Sequence, residues 1–269
     1  MRLRDLSDYV RLRQIAANPG EVVRFRKRHA DGQELTVELL DGPPLRLQGG
    51  RSDVNTFRTI WLEDEYQFAG LPPAPAGAPR IGCVIDLGAN VGVFAARAAR
   101  AAKRVICYEP MPENFDRLAL NVGGFDHVET VNEAVGAEAG TLTLYAPKNA
   151  RSNGQFTLYP GGDAIGGAVC EVPVTTLAAV FEKHGVTQCD LLKIDTEGAE
   201  YDILLAAPDE LLARIGRVHA EYHAVDGHTI EELAGRLRAA GFEVTLDPKP
   251  HGPNYGLFFA RRPGWTDGV

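Results

Sequence analysis

Apolar and polar positions along the chain fall into two regimes that meet near residue 80. In the first, Leu3, Leu6, Val10 and Ile15 share roughly one side of a helix and predict a short amphipathic segment within residues 1–18. Short strand-like runs follow at residues 22–25, 35–39 and 45–47, punctuated by Asp31-Gly32 and Gly42-Pro43-Pro44. They predict a small β meander with too few strands to stand alone. Ser52 is placed to cap a helix running to about Glu63, which buries Val54, Phe57, Ile60 and Trp61. Residues 69–80, rich in Pro, Ala and Gly, read as a stiff connector. The expected organisation is an appendage over 1–68, a linker over 69–80 and one larger domain over 81–269.

In the second regime, strand-like and helix-like stretches alternate. Strands are expected near 81–86, 104–108, 128–132, 190–194, 217–223, 242–246 and 255–260. Helices are expected near 91–102, 112–121, 176–184, 199–206, 208–214 and 229–240. This alternation predicts an α/β domain, a mainly parallel seven-stranded sheet covered by helices on both faces. An insertion at about 140–175 interrupts the rhythm. It carries two further strand-like runs, at 141–145 and 172–175, around a polar, glycine-rich loop that includes Asn153.

Composition narrows the function classes. The 269 residues carry a formal net charge of -8, which disfavours nucleic acid and anionic membrane surfaces as partners. There is no apolar run near the roughly 18 residues of a membrane helix, and the N-terminus lacks a secretory signal core. The four cysteines form no C-x-x-C pair and read as small buried hydrophobes. These features together point to the cytoplasm, and they leave a homodimer open.

Two turns carry the candidate chemistry. The run Val84-Ile85-Asp86-Leu87-Gly88-Ala89-Asn90-Val91-Gly92 reads as strand, glycine turn and helix start. A second strand ends in Glu109, about 20 residues on, where a carboxylate can accept both ribose hydroxyls of a nucleotide. A dinucleotide fingerprint needs glycine at the positions held here by Asn90 and Val93. A side chain at Asn90 crowds a pyrophosphate, and Asp86 offers negative charge at the strand end. The pattern suits S-adenosylmethionine, a cation without phosphate, better than NAD. The second turn, Lys193-Ile194-Asp195-Thr196-Glu197-Gly198-Ala199-Glu200, follows another apolar strand. It places Asp195 and Glu197 where parallel sheets bind ligands. Lys193 reads as an ion partner of a nearby carboxylate, and Glu200 as a favourable charge at a helix start.

On the strand at 217–223, His219, Glu221 and His223 point to the same side. Asp195, Glu221 and His223 are candidate ligands for Mg²⁺, which would lower the pKa of an acceptor hydroxyl. Without metal, Glu197 or His223 is the preferred base, and His228 and His251 are further candidates. The Asp/Asn-Pro-Pro-aromatic turn common in methylases of base or amide nitrogen is missing after Ile194.

Taken together, the two turns, with Tyr108-Glu109-Pro110 and the segment 131–136, resemble the FkbM-type family of S-adenosylmethionine-dependent methyltransferases. The resemblance runs from about residue 81 to the strand ending at Ala260; Thr196 stands where the family usually has Val. It implies a class I, Rossmann-like methyltransferase fold. By position, Asp86, Gly88, Asn90 and Gly92 would line the methionine part of the cofactor, Glu109 would hold the ribose, and Asn132, Glu133 and Ala134 would border the adenine. Asn114 could reach the ribose side. The activity implied is O-methylation of a sugar, glycan or glycosylated metabolite. A polyketide or peptide hydroxyl, a non-catalytic nucleotide-sensing module and an NAD-dependent reductase stay open as alternatives, the last opposed by Asn90.

Overall fold

The computed structural model describes residues 3–28, 32–68, 79–147, 165–248 and 256–268. The chain opens with helices α1 (Leu3–Leu12) and α2 (Pro19–Arg28), then the two-stranded ribbon β1 (Glu34–Val37) and β2 (Leu45–Gln48). Helix α3 (Asp53–Phe57) continues into a wider π-type turn over Arg58–Leu62. The expected strand at 22–25 is instead part of α2, so the meander is a ribbon of two strands beside two helices. Pro19 fixes the first helical turn and Asn18 accepts the first helical amide bonds from Glu21 and Val22. Val22 and Val23 are buried side by side on the helix, so burial overrides their strand preference.

The main sheet is built from β3 (Ile81–Leu87), β4 (Ala102–Tyr108), β5 (Val128–Val131), β9 (Leu191–Ile194), β10 (Arg217–Tyr222), β11 (Glu243–Pro248) and β12 (Gly256–Arg261). Their spatial order is β11-β12-β10-β9-β3-β4-β5, with β12 antiparallel to both neighbours and the remaining pairs parallel. This is the class I methyltransferase order, and all seven strands lie where the apolar runs placed them. Between them run α4 (Val93–Ala98), α5 (Pro112–Val122), α6 (Leu177–Lys183), α7 (Glu200–Ala206), α8 (Asp209–Leu212) and α9 (Ile230–Ala239). The Thr176 and Thr229 hydroxyls cap α6 and α9 by accepting from the amides of Ala179 and Glu232, each at 3.2 Å. The insertion forms its own sheet, β6 (Ala134–Gly136), β8 (Ile165–Thr176) and β7 (Gly140–Pro147), in that order. The Asn153 loop, His251 and most of the expected linker lie outside the described residues.

Apolar side chains fill both faces of the sheet. One core combines Val84, Phe94 and Val105 with Leu12, Val37, Leu45 and Phe57 of the N-terminal segment. The other packs Ile85, Ile106 and Leu192 against α6, α7 and α9. The N-terminal segment is further tied down by polar contacts. Asn121 on α5 accepts from Arg46 N at 2.8 Å and donates to Val91 O at 2.7 Å, so it joins the ribbon to the turn after β3. Buried Asp53 pairs with Arg117 of α5 and accepts from Gln48 N. The cysteines are free thiols, Cys107 and Cys189 fully buried and Cys83 and Cys170 partly so. Among the described residues no helix is long and apolar enough to cross a membrane.

Candidate active site

The carboxyl ends of β3, β4, β9 and β10 meet at a cavity of about 310 Å³. Gly88, Asn90 and Gly92 all adopt positive φ, at 76°, 51° and 84°. Asn tolerates this region better than other side chains, so the turn survives with asparagine at its middle. Gly88 is required by its neighbour: a Cβ there would stand 1.8 Å from the Asp195 carbonyl oxygen. The glycine therefore lets the turns after β3 and β9 touch.

Glu109, at the end of β4, is clamped by both adjacent turns. Its Oε2 accepts from Asn90 N at 2.8 Å and its Oε1 from Met111 N at 2.9 Å. Burial pushes its pKa up to about 7, against the pull of those two amides, Lys193 and Asn114. Asn114 is buried on α5 and lines the cavity beside it. The Asn90 side-chain oxygen is buried with no hydrogen-bond partner among the described residues.

Five of the eight residues expected around the cofactor line the cavity: Gly88, Asn90, Glu109, Glu133 and Ala134. Three do not. Asp86 is fully buried inside the sheet and sits directly across from Lys193 in the β3–β9 register. The Lys193 ammonium lies 3.0 Å from Asp86 Oδ1 and donates to Gly88 O at 2.7 Å, so the charge expected to face a cation is already neutralised. Lys193 is the carboxylate partner expected of it. Gly92 faces α5, where a Cβ would stand 2.8 Å from Leu118 Cδ1. Asn132 turns its amide to the carbonyls of Glu109 and Pro110, at 2.8 and 3.0 Å, and braces the chain behind the cavity.

The turn after β9 bears the other polar cluster. Glu197 holds φ at 54°, a strained conformation for a side-chain-bearing residue, and Gly198 follows at 117°. Glu200, which the sequence suggested only as a helix-end charge, organises this turn. Its fully buried carboxylate accepts from Thr196 N at 3.0 Å and Gly198 N at 2.9 Å. It also binds His223 Nδ1 at 3.0 Å, while His223 Nε2 lies 3.3 Å from Glu197 Oε2. Burial alone would lower the His223 pKa, but Glu200, Glu197 and Asp195 outweigh it and raise it to about 10. Burial pushes Glu197 up to about 8, against the pull of His223 and with Asp195, Glu200 and Glu221 adding to the rise.

The three carboxylates therefore favour the imidazolium form of His223, which has no lone pair to serve as a base or ligand. Both roles expected of it, base and Mg²⁺ ligand, call for the neutral ring instead. The expected ligand trio of Asp195, Glu221 and His223 is also not the group that converges. Among the described residues, Asp195, Glu197 and His223 bring ligand atoms within 4.8 Å of one another. With both ring nitrogens turned to carboxylates, that group suits a shared proton and does not fit Mg²⁺, which prefers oxygen ligands. Glu221 is buried and lines the cavity. His228 stacks on Tyr201 and binds Glu232 outside the cavity.

Tyr66, from the N-terminal segment, places its hydroxyl 3.3 Å from Asp195 Oδ2 and packs edge-on against Phe94. His219 Nδ1 holds the Tyr66 carbonyl at 2.9 Å. Ser52, Asn55 and Thr56 of the same segment also reach the cavity wall. The aromatic at 66 was visible in the sequence, but nothing local indicated which strand end it would meet.

Residues 86–244 match the methyltransferase FkbM domain. This chain belongs to the FkbM methyltransferase family. The matched residues form a methyltransferase domain. The chain is 30% identical over 222 residues to the 31-O-demethyl-FK506 methyltransferase FkbM of Streptomyces tacrolimicus, covering 72% of this chain and 83% of that protein. It is 26% identical over 303 residues to the AMB antimetabolite synthetase AmbE of Pseudomonas aeruginosa, covering 94% of this chain. It spans only 14% of AmbE's length. A crystal structure of methyltransferase FkbM from Methylobacillus flagellatus KT aligns with a TM-score of 0.44 and 11% identity, over 96% of this chain and 59% of that one. The FkbM match takes in both turns, from the last residues of β3 onward, whereas Tyr66 and the Ser52–Thr56 wall precede it.

Proposed function

We propose that the chain is an O-methyltransferase acting on a hydroxyl of a sugar, glycan or glycosylated metabolite. The observation that carries this reading is a single cavity joining the Glu109 turn to the Glu197 turn. On the Glu109 side, the clamped carboxylate suits two ribose hydroxyls, the unpartnered Asn90 oxygen suits an ammonium donor, and Glu133 and Ala134 border the space for an adenine. When bound, S-adenosylmethionine supplies a methyl group on a positively charged sulfur.

The chain's own contribution is alignment and proton removal. Asp195 and Tyr66 hold the acceptor hydroxyl. Its oxygen bonds to the methyl carbon as the sulfur–carbon bond breaks, and its proton passes to Glu197. A carboxylate raised to about 8 is a stronger base, once ionised, than an ordinary one. Asp195, Glu197, Glu221 and the Tyr66 hydroxyl give the cavity several acceptors, which suits an acceptor bearing several hydroxyls. A polyketide or peptide hydroxyl is the second reading, favoured by the Streptomyces tacrolimicus relative named for 31-O-demethyl-FK506.

Incubation of the full chain with methyl-labelled donor and a panel of glycosides and polyketide alcohols tests this. The expected product carries the label on oxygen in the glycoside set. Label on nitrogen or carbon overturns the O-methyl assignment, and label only in the polyketide set favours the second reading.

A further inference from the structure

We propose that Glu200 is a positioning residue for methyl transfer, which acts through His223 to fix the Glu197 carboxylate in place. The inference rests on the O-methyltransferase reading above and deepens it. Glu200 has no exposed surface and does not line the cavity, so it does not touch an acceptor. Its contacts all lead to the turn that does. One oxygen collects Thr196 N, Gly198 N and His223 Nδ1 within 3.2 Å; the other accepts from Gly198 N at 2.9 Å.

A carboxylate that served only the helix N-terminus would need the amide contacts alone. The contact to His223 is different in kind. It fixes the ring so that Nε2 faces Glu197, and it places a full negative charge against Nδ1. The imidazolium then donates toward Glu197 and favours its ionised form, the form that accepts a hydroxyl proton. The line Glu200–His223–Glu197 alternates carboxylate, cation and carboxylate. The strained backbone at Glu197 is held at both ends by the same residue, through Thr196 N and Gly198 N.

Other charges act on the pair. Asp195 faces it from the turn after β9 and Glu221 from β10, and both, like the Glu200 charge itself acting directly, oppose ionisation of Glu197, whereas His223 favours it. Lys193 reaches Asp195 at 3.9 Å, and Tyr66 binds the same carboxylate. Glu200 is the carboxylate that meets His223 Nδ1 at 3.0 Å, and Glu200→Gln removes that charge.

Glu200→Gln retains one acceptor oxygen for the turn and removes the charge. The first readout is the titration of the His223 ring by NMR in the full chain without donor or acceptor. The apparent pKa is expected to fall by about one unit or more from the wild-type value. The second is the pH profile of methylation. kcat is expected to fall about tenfold or more, with the acid limb displaced from its wild-type position and the donor Kd within about twofold of wild type. In a His223→Asn background, Glu200→Gln should add little to the loss.

An unchanged His223 titration overturns the proposal, as does a loss of kcat with an unmoved acid limb that persists in full without His223. Glu200→Asp, which keeps the charge and withdraws it from the ring, carries the same NMR test if Glu200→Gln does not fold. If the wild-type chain methylates no hydroxyl, the O-methyltransferase reading fails, while the His223 titration still decides the hold exerted by Glu200.

Discussion

The Gly88 α-carbon lies against the Asp195 carbonyl, and this single close approach sets the spacing of the two functional turns. Gly88 N donates to Tyr108 O and Asp195 N to Leu87 O, both at 3.0 Å, so neither turn can withdraw without breaking sheet-end bonds. Gly88→Ala meets backbone at 1.8 Å and a φ of +76° together. A loss of about 3 kcal/mol is expected, seen as a melting temperature lower by several degrees. Donor affinity should fall with it.

Asp86 and Lys193 form a buried ion pair whose halves are unequal when separated. Lys193→Met leaves a carboxylate with no exposed surface and without its counter-charge, and about 3–5 kcal/mol of stability should be lost. The double variant Asp86→Leu with Lys193→Met should recover most of it, because two apolar side chains replace the pair. Urea unfolding of the three variants measures the difference. A double variant as unstable as Lys193→Met would show that the pair has a role beyond mutual compensation.

Burial raises Glu109 to about 7, and the sign of the pH dependence follows from that direction. Free glutamate titrates near about 4.3, so the unfolded chain releases this proton first. The stability from this group is full below that pH and is lost as pH rises through about 7. Donor binding runs the other way, because two ribose hydroxyls need an ionised acceptor. Calorimetry should show donor affinity rising up to about tenfold per pH unit below 7 and levelling above it. Glu109→Gln should bind weakly and without this pH dependence.

Tyr66 lies outside the part of the chain that matches the FkbM domain, yet its hydroxyl meets Asp195. Tyr66→Phe keeps the packing on Phe94 and removes one hydrogen bond of about 1 kcal/mol. The acceptor KM should rise about fivefold with the donor Kd unchanged. A change confined to donor affinity would place Tyr66 on the wrong side of the cavity.

The sheet was legible because its central strands are largely apolar runs, with Asp86, Lys193, His219 and Glu221 as the polar interruptions, and burial on both faces demands that pattern. The 22–25 segment misled because adjacent valines favour strands, while the helix start at Asn18-Pro19 decides the local structure. Asp86 was visible as a charge at a strand end, but its neutralising partner lies far along the chain and meets it only through the β3–β9 register. The same limit hid Glu200. Its distance from Glu197 in sequence is short, but its value depends on His223, which arrives from another strand. Local pattern located both turns, and tertiary pairing decided which of their carboxylates face the cavity.

The proposed chemistry depends most on Glu197 accepting the proton of an acceptor hydroxyl. Transfer of labelled methyl by wild type and Glu197→Gln, with donor binding measured on the same samples, tests it directly. The expected result is label on oxygen in the wild type, and in the variant a loss of kcat of about 100-fold or more at nearly unchanged donor affinity. A Glu197→Gln variant that turns over at the wild-type rate would contradict it.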